Sequence, residues 1–93
     1  MSRTRKIITA AIDIYGEHHQ QIQALSELAE LSKEISDSLL GRHDRDAMID
    51  EIADVKIMLA QLEIIYNIEN AEVEEQRDFK INRLNRRVGC IDE

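Results

Sequence analysis

The chain has 93 residues, a formal net charge of -7, one cysteine, three glycines and no proline. With 33% charged and 3% aromatic residues, it suits amphipathic helices rather than a β-sandwich or a disordered chain. The acidic balance disfavours nucleic acid as a partner, and no apolar run reaches the roughly 18 residues of a membrane span. We expect one cytoplasmic domain over residues 1–93, small enough that self-association would complete its core.

Two amphipathic segments are predicted in the first half of the chain. The first covers about residues 4–15 and breaks at Gly16. The second covers about residues 17–40 and ends at Gly41, a residue suited to a left-handed C-cap.

Two further segments are predicted in the second half. The third begins after an N-cap at Asp44 or Asp46. It lasts to about Tyr66, and Asn67 or Asn70 can end it or cap the fourth segment, which runs to about Val88. Because the turn between the second and third segments is short, they should form an antiparallel hairpin. The prediction is an all-α antiparallel bundle of about four helices.

Acidic residues fall on or beside the apolar stripes of the two hairpin segments. At about 100° of rotation per residue, Glu51 lies at the centre of the third segment's stripe and Asp54 at its edge. On the second segment, Glu27, Glu30 and Glu34 flank the stripe. If the two rows face each other, four or five carboxylates come together.

Such a cluster is repulsive when it is ionised and dry, so it is open to water, holds protons or holds a metal cation. Oxygen-only ligands suit Mg²⁺ or Mn²⁺, whereas zinc prefers histidine or cysteine. Lys80 and Arg83 share the side of the fourth segment that is expected to pack, as phosphate ligands near a metal would. Alternatively, their aliphatic stems follow the core edge while the charged ends stay in water.

Three stretches, "GEHHQQIQALSELAEL", "DEIADVKIMLAQLEIIYN" and "KINRLNRR", resemble the MazG-like all-α nucleoside triphosphate pyrophosphohydrolases, relatives of the dimeric dUTPases. The family signature is EExxE followed, after a gap, by ExxD. Glu27 and Glu30 match the second and third glutamates of EExxE, and Glu51 and Asp54 match ExxD. Ser26 stands in place of the first glutamate.

The resemblance implies Mg²⁺ held by the four matching acids, with Mn²⁺ as a possible substitute. It also implies a homodimer or tetramer that hydrolyses a nucleoside triphosphate to the monophosphate and pyrophosphate in nucleotide-pool housekeeping. Glu27 would orient the attacking water, and Lys80 and Arg83 would hold the pyrophosphate. Gln20 and Glu34 would lie near the nucleotide, although a surface glutamine is the alternative for Gln20.

Two other functions stay open at this stage. The chain can be a non-enzymatic helical interaction protein in which Glu51 pairs with a base of a partner. It can also be a degenerate family member that binds nucleotide without turnover, a possibility raised by Ser26. A helix-turn-helix DNA binder is disfavoured because the helix after "GRHDRD" is acidic.

Overall fold

Four α-helices make up the computed structural model, which describes residues 1–92. They are α1 (Arg3–Tyr15), α2 (Glu17–Leu39), α3 (Arg45–Ile65) and α4 (Asn70–Val88). Residues 1–92 contain no strand, which confirms the predicted all-α class. None of these helices combines the length and the apolar run that crossing a bilayer requires.

The turn between α2 and α3 follows the predicted signals. Gly41 adopts a left-handed backbone conformation with φ of 82°, which only glycine reaches without steric cost. Asp44, rather than Asp46, is the N-cap of α3, and its carboxylate accepts a hydrogen bond of 3.1 Å from the backbone N–H of Ala47.

The start of α4 differs from the prediction. Its N-cap is Glu69, whose backbone N–H donates to the Glu72 carboxylate at 2.8 Å, as in a capping box. Asn67 instead lies just beyond α3 in the left-handed region, with φ of 54°, and Asn70 is the first residue of α4. Both asparagines therefore mark the connection, but neither is the cap of α4.

Helices α2 and α3 form the predicted antiparallel hairpin, and α1 packs against both. The buried core between these three helices is small. Its residues are the apolar Ile8, Ile12, Ala24 and Val55 together with the polar Gln20 and Gln61.

Helix α4 has no buried residue and no extensive packing against α1, α2 or α3. Four of its apolar residues lie on one side of the helix and are exposed, and we call them the α4 face: Val73, Ile81, Leu84 and Val88. The side of α4 that was expected to pack is therefore uncovered within a single chain.

The single chain is more extended than a compact domain of its length. Its radius of gyration is 16.4 Å, against about 12 Å for a compact chain of this size. Its accessible surface is 7477 Å², about 1,900 Å² more than a typical monomer of 10.8 kDa exposes.

Candidate metal centre

Three carboxylates from the α2–α3 hairpin meet in one cluster, which we call the acidic triad: Glu27, Glu51 and Asp54. Each contributes an oxygen, and these oxygens all lie within 4.8 Å of one another. Glu51 and Asp54 share a face of α3 because they are three residues apart, and Glu27 reaches them from the antiparallel α2. All three residues are half-buried.

Two oxygens of the triad have no hydrogen-bond partner. Oε2 of Glu27 and Oε2 of Glu51 are buried and unpartnered, while Oε1 of Glu27 accepts from Nε2 of Gln23 at 3.0 Å. The ion pairs found within residues 1–92 lie elsewhere, at Lys33–Asp37 and Arg77–Asp78. Buried carboxylate oxygens without a donor or a counter-charge are costly, and a bound cation would relieve that cost.

The surroundings of the triad make ionisation of its glutamates less favourable. Burial raises the pKa of Glu27, the hydrogen bond from Gln23 opposes that rise, and the charges of Asp54 and Glu30 add to it. Burial also raises the pKa of Glu51, with further contributions from Glu30 and Glu27. A divalent cation would replace this mutual repulsion with attraction, so cation binding and deprotonation should be coupled.

The fourth predicted metal ligand, Glu30, lies outside the triad. It is exposed, although it is near enough for its charge to raise the pKa of both Glu27 and Glu51. Glu34 is half-buried on α2 and does not belong to the triad. The structure thus brings together three of the expected four or five carboxylates.

The predicted phosphate ligands, Lys80 and Arg83, are exposed on α4. Lys80 lines a groove along the α4 face together with Val73 and Leu84. Because α4 does not pack extensively on α2 or α3, the fold of one chain does not join these bases to the triad. Their role in binding phosphate stays a prediction.

Gln20 is buried rather than at the surface, so the surface alternative for this residue is wrong. It is 7% exposed, and its Nε2 donates to Oε1 of Gln61 at 2.7 Å. Gln61 is 1% exposed and was not predicted. The available signal was its position two helical turns beyond Asp54 on the same side of α3.

The chemistry of the triad fits a hard divalent cation, because its donors are all oxygens and its half-buried position leaves access for water or substrate oxygens. Comparisons with protein-family models, with curated proteins and with solved structures find no match for this chain.

Proposed function

We propose that this protein is a MazG-like nucleoside triphosphate pyrophosphohydrolase that uses Mg²⁺ to convert a nucleoside triphosphate into the monophosphate and pyrophosphate. The observation that carries the proposal is the convergence of Glu27, Glu51 and Asp54. Glu27 lies on a different helix from Glu51 and Asp54, yet all three are among the acids that match the family signature. The proposed role is nucleotide-pool housekeeping in the cytoplasm.

Each acid has a role in the proposed metal site. Glu51 and Asp54 offer ligands from one face of α3, and Glu27 offers the third from α2. Glu30 would contribute from the exposed edge of the cluster. When bound, Mg²⁺ or Mn²⁺ would neutralise the charge that develops on the phosphate oxygens.

Glu27 is also the proposed water-orienting base. Its Oε1 is fixed by Gln23, which leaves Oε2 without a protein partner. In the proposed reaction, the oxygen of a water molecule bonds to phosphorus as the bond to the departing pyrophosphate breaks. The proton released by that water passes to the Glu27 carboxylate.

The proposed phosphate ligands, Lys80 and Arg83, act only if α4 approaches an acidic triad. We propose that α4 does so by docking on a second copy of the chain, giving a homodimer or a tetramer. Most of the stability of a helix in a protein comes from tertiary packing, yet α4 buries no residue within its own chain. The roughly 1,900 Å² of surface beyond that of a compact monomer is also enough for a standard interface.

The test is Mg²⁺-dependent pyrophosphate release from a panel of standard and modified nucleoside triphosphates. We expect the wild-type chain to hydrolyse at least one of them and Glu51→Gln to lose that activity. Glu63→Gln is the matched control, since it makes the same change on α3 outside the triad and should stay active.

The same panel distinguishes the alternatives. If a nucleotide raises the melting temperature but is not hydrolysed, the chain is better explained as a degenerate family member that binds nucleotide without turnover. Ser26 is the residue that raises this alternative. If neither Mg²⁺ nor any nucleotide shifts the melting temperature, the chain is better explained as a helical interaction protein.

A further inference from the structure

We propose that Gln20 and Gln61, the amide pair, fix the register of α2 against α3 and so act as positioning residues for the acidic triad. The inference deepens the proposed function and rests on it only where metal binding is concerned. The register itself can be measured without any metal.

The amide pair links the two helices through directional contacts in the core. Nε2 of Gln20 donates to Oε1 of Gln61 at 2.7 Å, and Nε2 of Gln61 donates to the backbone carbonyl of Gln20 at 3.0 Å. Oε1 of Gln20 is in turn 2.9 Å from Nδ1 of His19. The side chain of Gln61 is thus held to both the side chain and the backbone of one residue of α2.

The amide pair and the triad belong to the same register. Gln20 lies two helical turns before Glu27 on α2, and Gln61 lies two turns after Asp54 on α3. In an antiparallel hairpin, the register that places Gln20 opposite Gln61 therefore also places Glu27 opposite Asp54. Each carboxylate is about 10 Å along the helix axis from the amide on its own helix.

Among residues 1–92, the amide pair supplies the buried hydrogen bonds between α2 and α3. Ala24 and Val55 are the buried apolar residues of the two helices, and apolar packing is non-directional. The hydrogen bond between Tyr66 and Gln21 is exposed. Repulsion within the triad opposes the register, because sliding α3 by one turn would move Asp54 about 6 Å away from Glu27.

The same slide would separate Gln61 from both of its partners on Gln20. Its amide would then be buried without hydrogen bonds, which is unfavourable in a core. A single buried polar contact is known to set register in helical assemblies at some cost in stability. The amide pair therefore selects the register of α2 and α3 in which the three carboxylates meet.

The test replaces both amides with leucine, as Gln20→Leu with Gln61→Leu, and Gln61→Met alone serves as a second variant of similar shape. Spin labels on cysteines introduced at the exposed positions Ser32 and Lys56 report the distance between α2 and α3. Cys90→Ser removes the native thiol, and dilution with unlabelled chains removes distances between copies. Melting temperature and Mn²⁺ affinity are measured on the same variants without labels.

We expect one narrow distance in the wild-type chain and a broadened or shifted distribution in both amide variants. The melting temperature of the double leucine variant should be unchanged or higher, since apolar replacement of a buried polar pair is often neutral or stabilising. Gln61→Met leaves the buried Gln20 amide without its partner and should lower the melting temperature. The Mn²⁺ affinity of both variants should fall by about tenfold or more, the usual effect of losing support behind a metal ligand. Ile12→Ala is the matched packing control, expected to lower the melting temperature but to keep the narrow distance.

An unchanged distance distribution in the variants overturns the proposal. A loss of Mn²⁺ affinity in the double leucine variant that only parallels a loss of its thermal stability overturns the proposal as well, because it would indicate a general structural role. If the wild-type chain binds no Mn²⁺, the proposed function fails, while the distance measurement still decides the role of the amide pair.

Discussion

Replacing Leu84 with aspartate should dissociate the proposed oligomer while leaving the hairpin folded. Leu84 is 51% exposed on α4, and Val73, Ile81 and Val88 extend the same apolar face along the helix. Because α4 has no buried residue within the chain, this substitution removes no core contact of the monomer. Its effect should therefore appear in association rather than in the α2–α3 packing.

The magnitude follows from the surface that Leu84 still exposes. Burying the exposed half of a leucine contributes about 1 kcal/mol, and a symmetric dimer contains two copies, giving about 2 kcal/mol. That loss raises the dissociation constant of the dimer about thirtyfold. Desolvation of two introduced carboxylates adds to the loss, so thirtyfold is the minimum expected.

Sedimentation equilibrium over a range of chain concentrations measures this constant directly. The wild-type chain should have a mass at least twice its 10.8 kDa, and Leu84→Asp should shift the association curve at least thirtyfold. Asn82→Asp is the control, because it adds the same charge on the opposite side of α4 and should associate like the wild type. A wild-type mass of one chain, or equal association of the two variants, would refute the reasoning.

Three further predictions concern the charged residues. As pH rises above about 4.5, the free energy of unfolding of the metal-free wild type should fall relative to that of Glu51→Gln. The raised pKa of Glu51 stabilises the fold below the ordinary value of 4.5, and this contribution is lost as the folded protein's Glu51 ionises. Urea unfolding across a pH series checks this, and parallel profiles would contradict it. Asp44→Ala should lower the free energy of unfolding by about 1 kcal/mol, because it removes the N-cap of α3. Asp44→Asn should lower it much less, because asparagine also caps helices. Equal losses for the two variants in urea unfolding would exclude capping as the cause. Lys80→Gln should raise the KM for the nucleoside triphosphate about tenfold or more with little change in Mn²⁺ affinity, and an unchanged KM would remove Lys80 from the substrate site.

Much of the fold could be predicted because helix signals are local. The break at Gly16, the left-handed Gly41 and the cap at Asp44 each depend on a few neighbouring residues, and all occur in the structure. The start of α4 was harder to predict, because Glu69 is not a typical capping residue and depends on its reciprocal partner Glu72.

The candidate site could be predicted only in part. Helical rotation placed Glu51 in the apolar stripe, and the hairpin brought Glu27 and Asp54 to it. Helical rotation alone could not distinguish Glu30, which is exposed, from Glu27, which lies one turn before it and belongs to the triad. Nor could it identify Gln61 as fully buried, because burial of an amide depends on a partner that only the tertiary structure supplies.

The proposed docking of α4 on a second copy could not be predicted from the sequence. Its apolar residues are separated by Lys80 and Arg77, so the helix shows a mixed face rather than a continuous stripe. Such a face predicts packing in general, but not whether the partner is the same chain or a second copy. The exposed α4 face of the folded chain is what directs the proposal to a second copy.

The binding of Mn²⁺ to the acidic triad tests the central claim most directly. Metal-free protein is titrated with Mn²⁺, and free ion is followed by electron paramagnetic resonance for the wild type, Glu51→Gln and Glu63→Gln. We predict one ion per triad in the wild type and in Glu63→Gln, with affinity at least about tenfold weaker in Glu51→Gln. Equal affinity in all three proteins, or no binding by the wild type at millimolar Mn²⁺, would contradict the proposed metal centre.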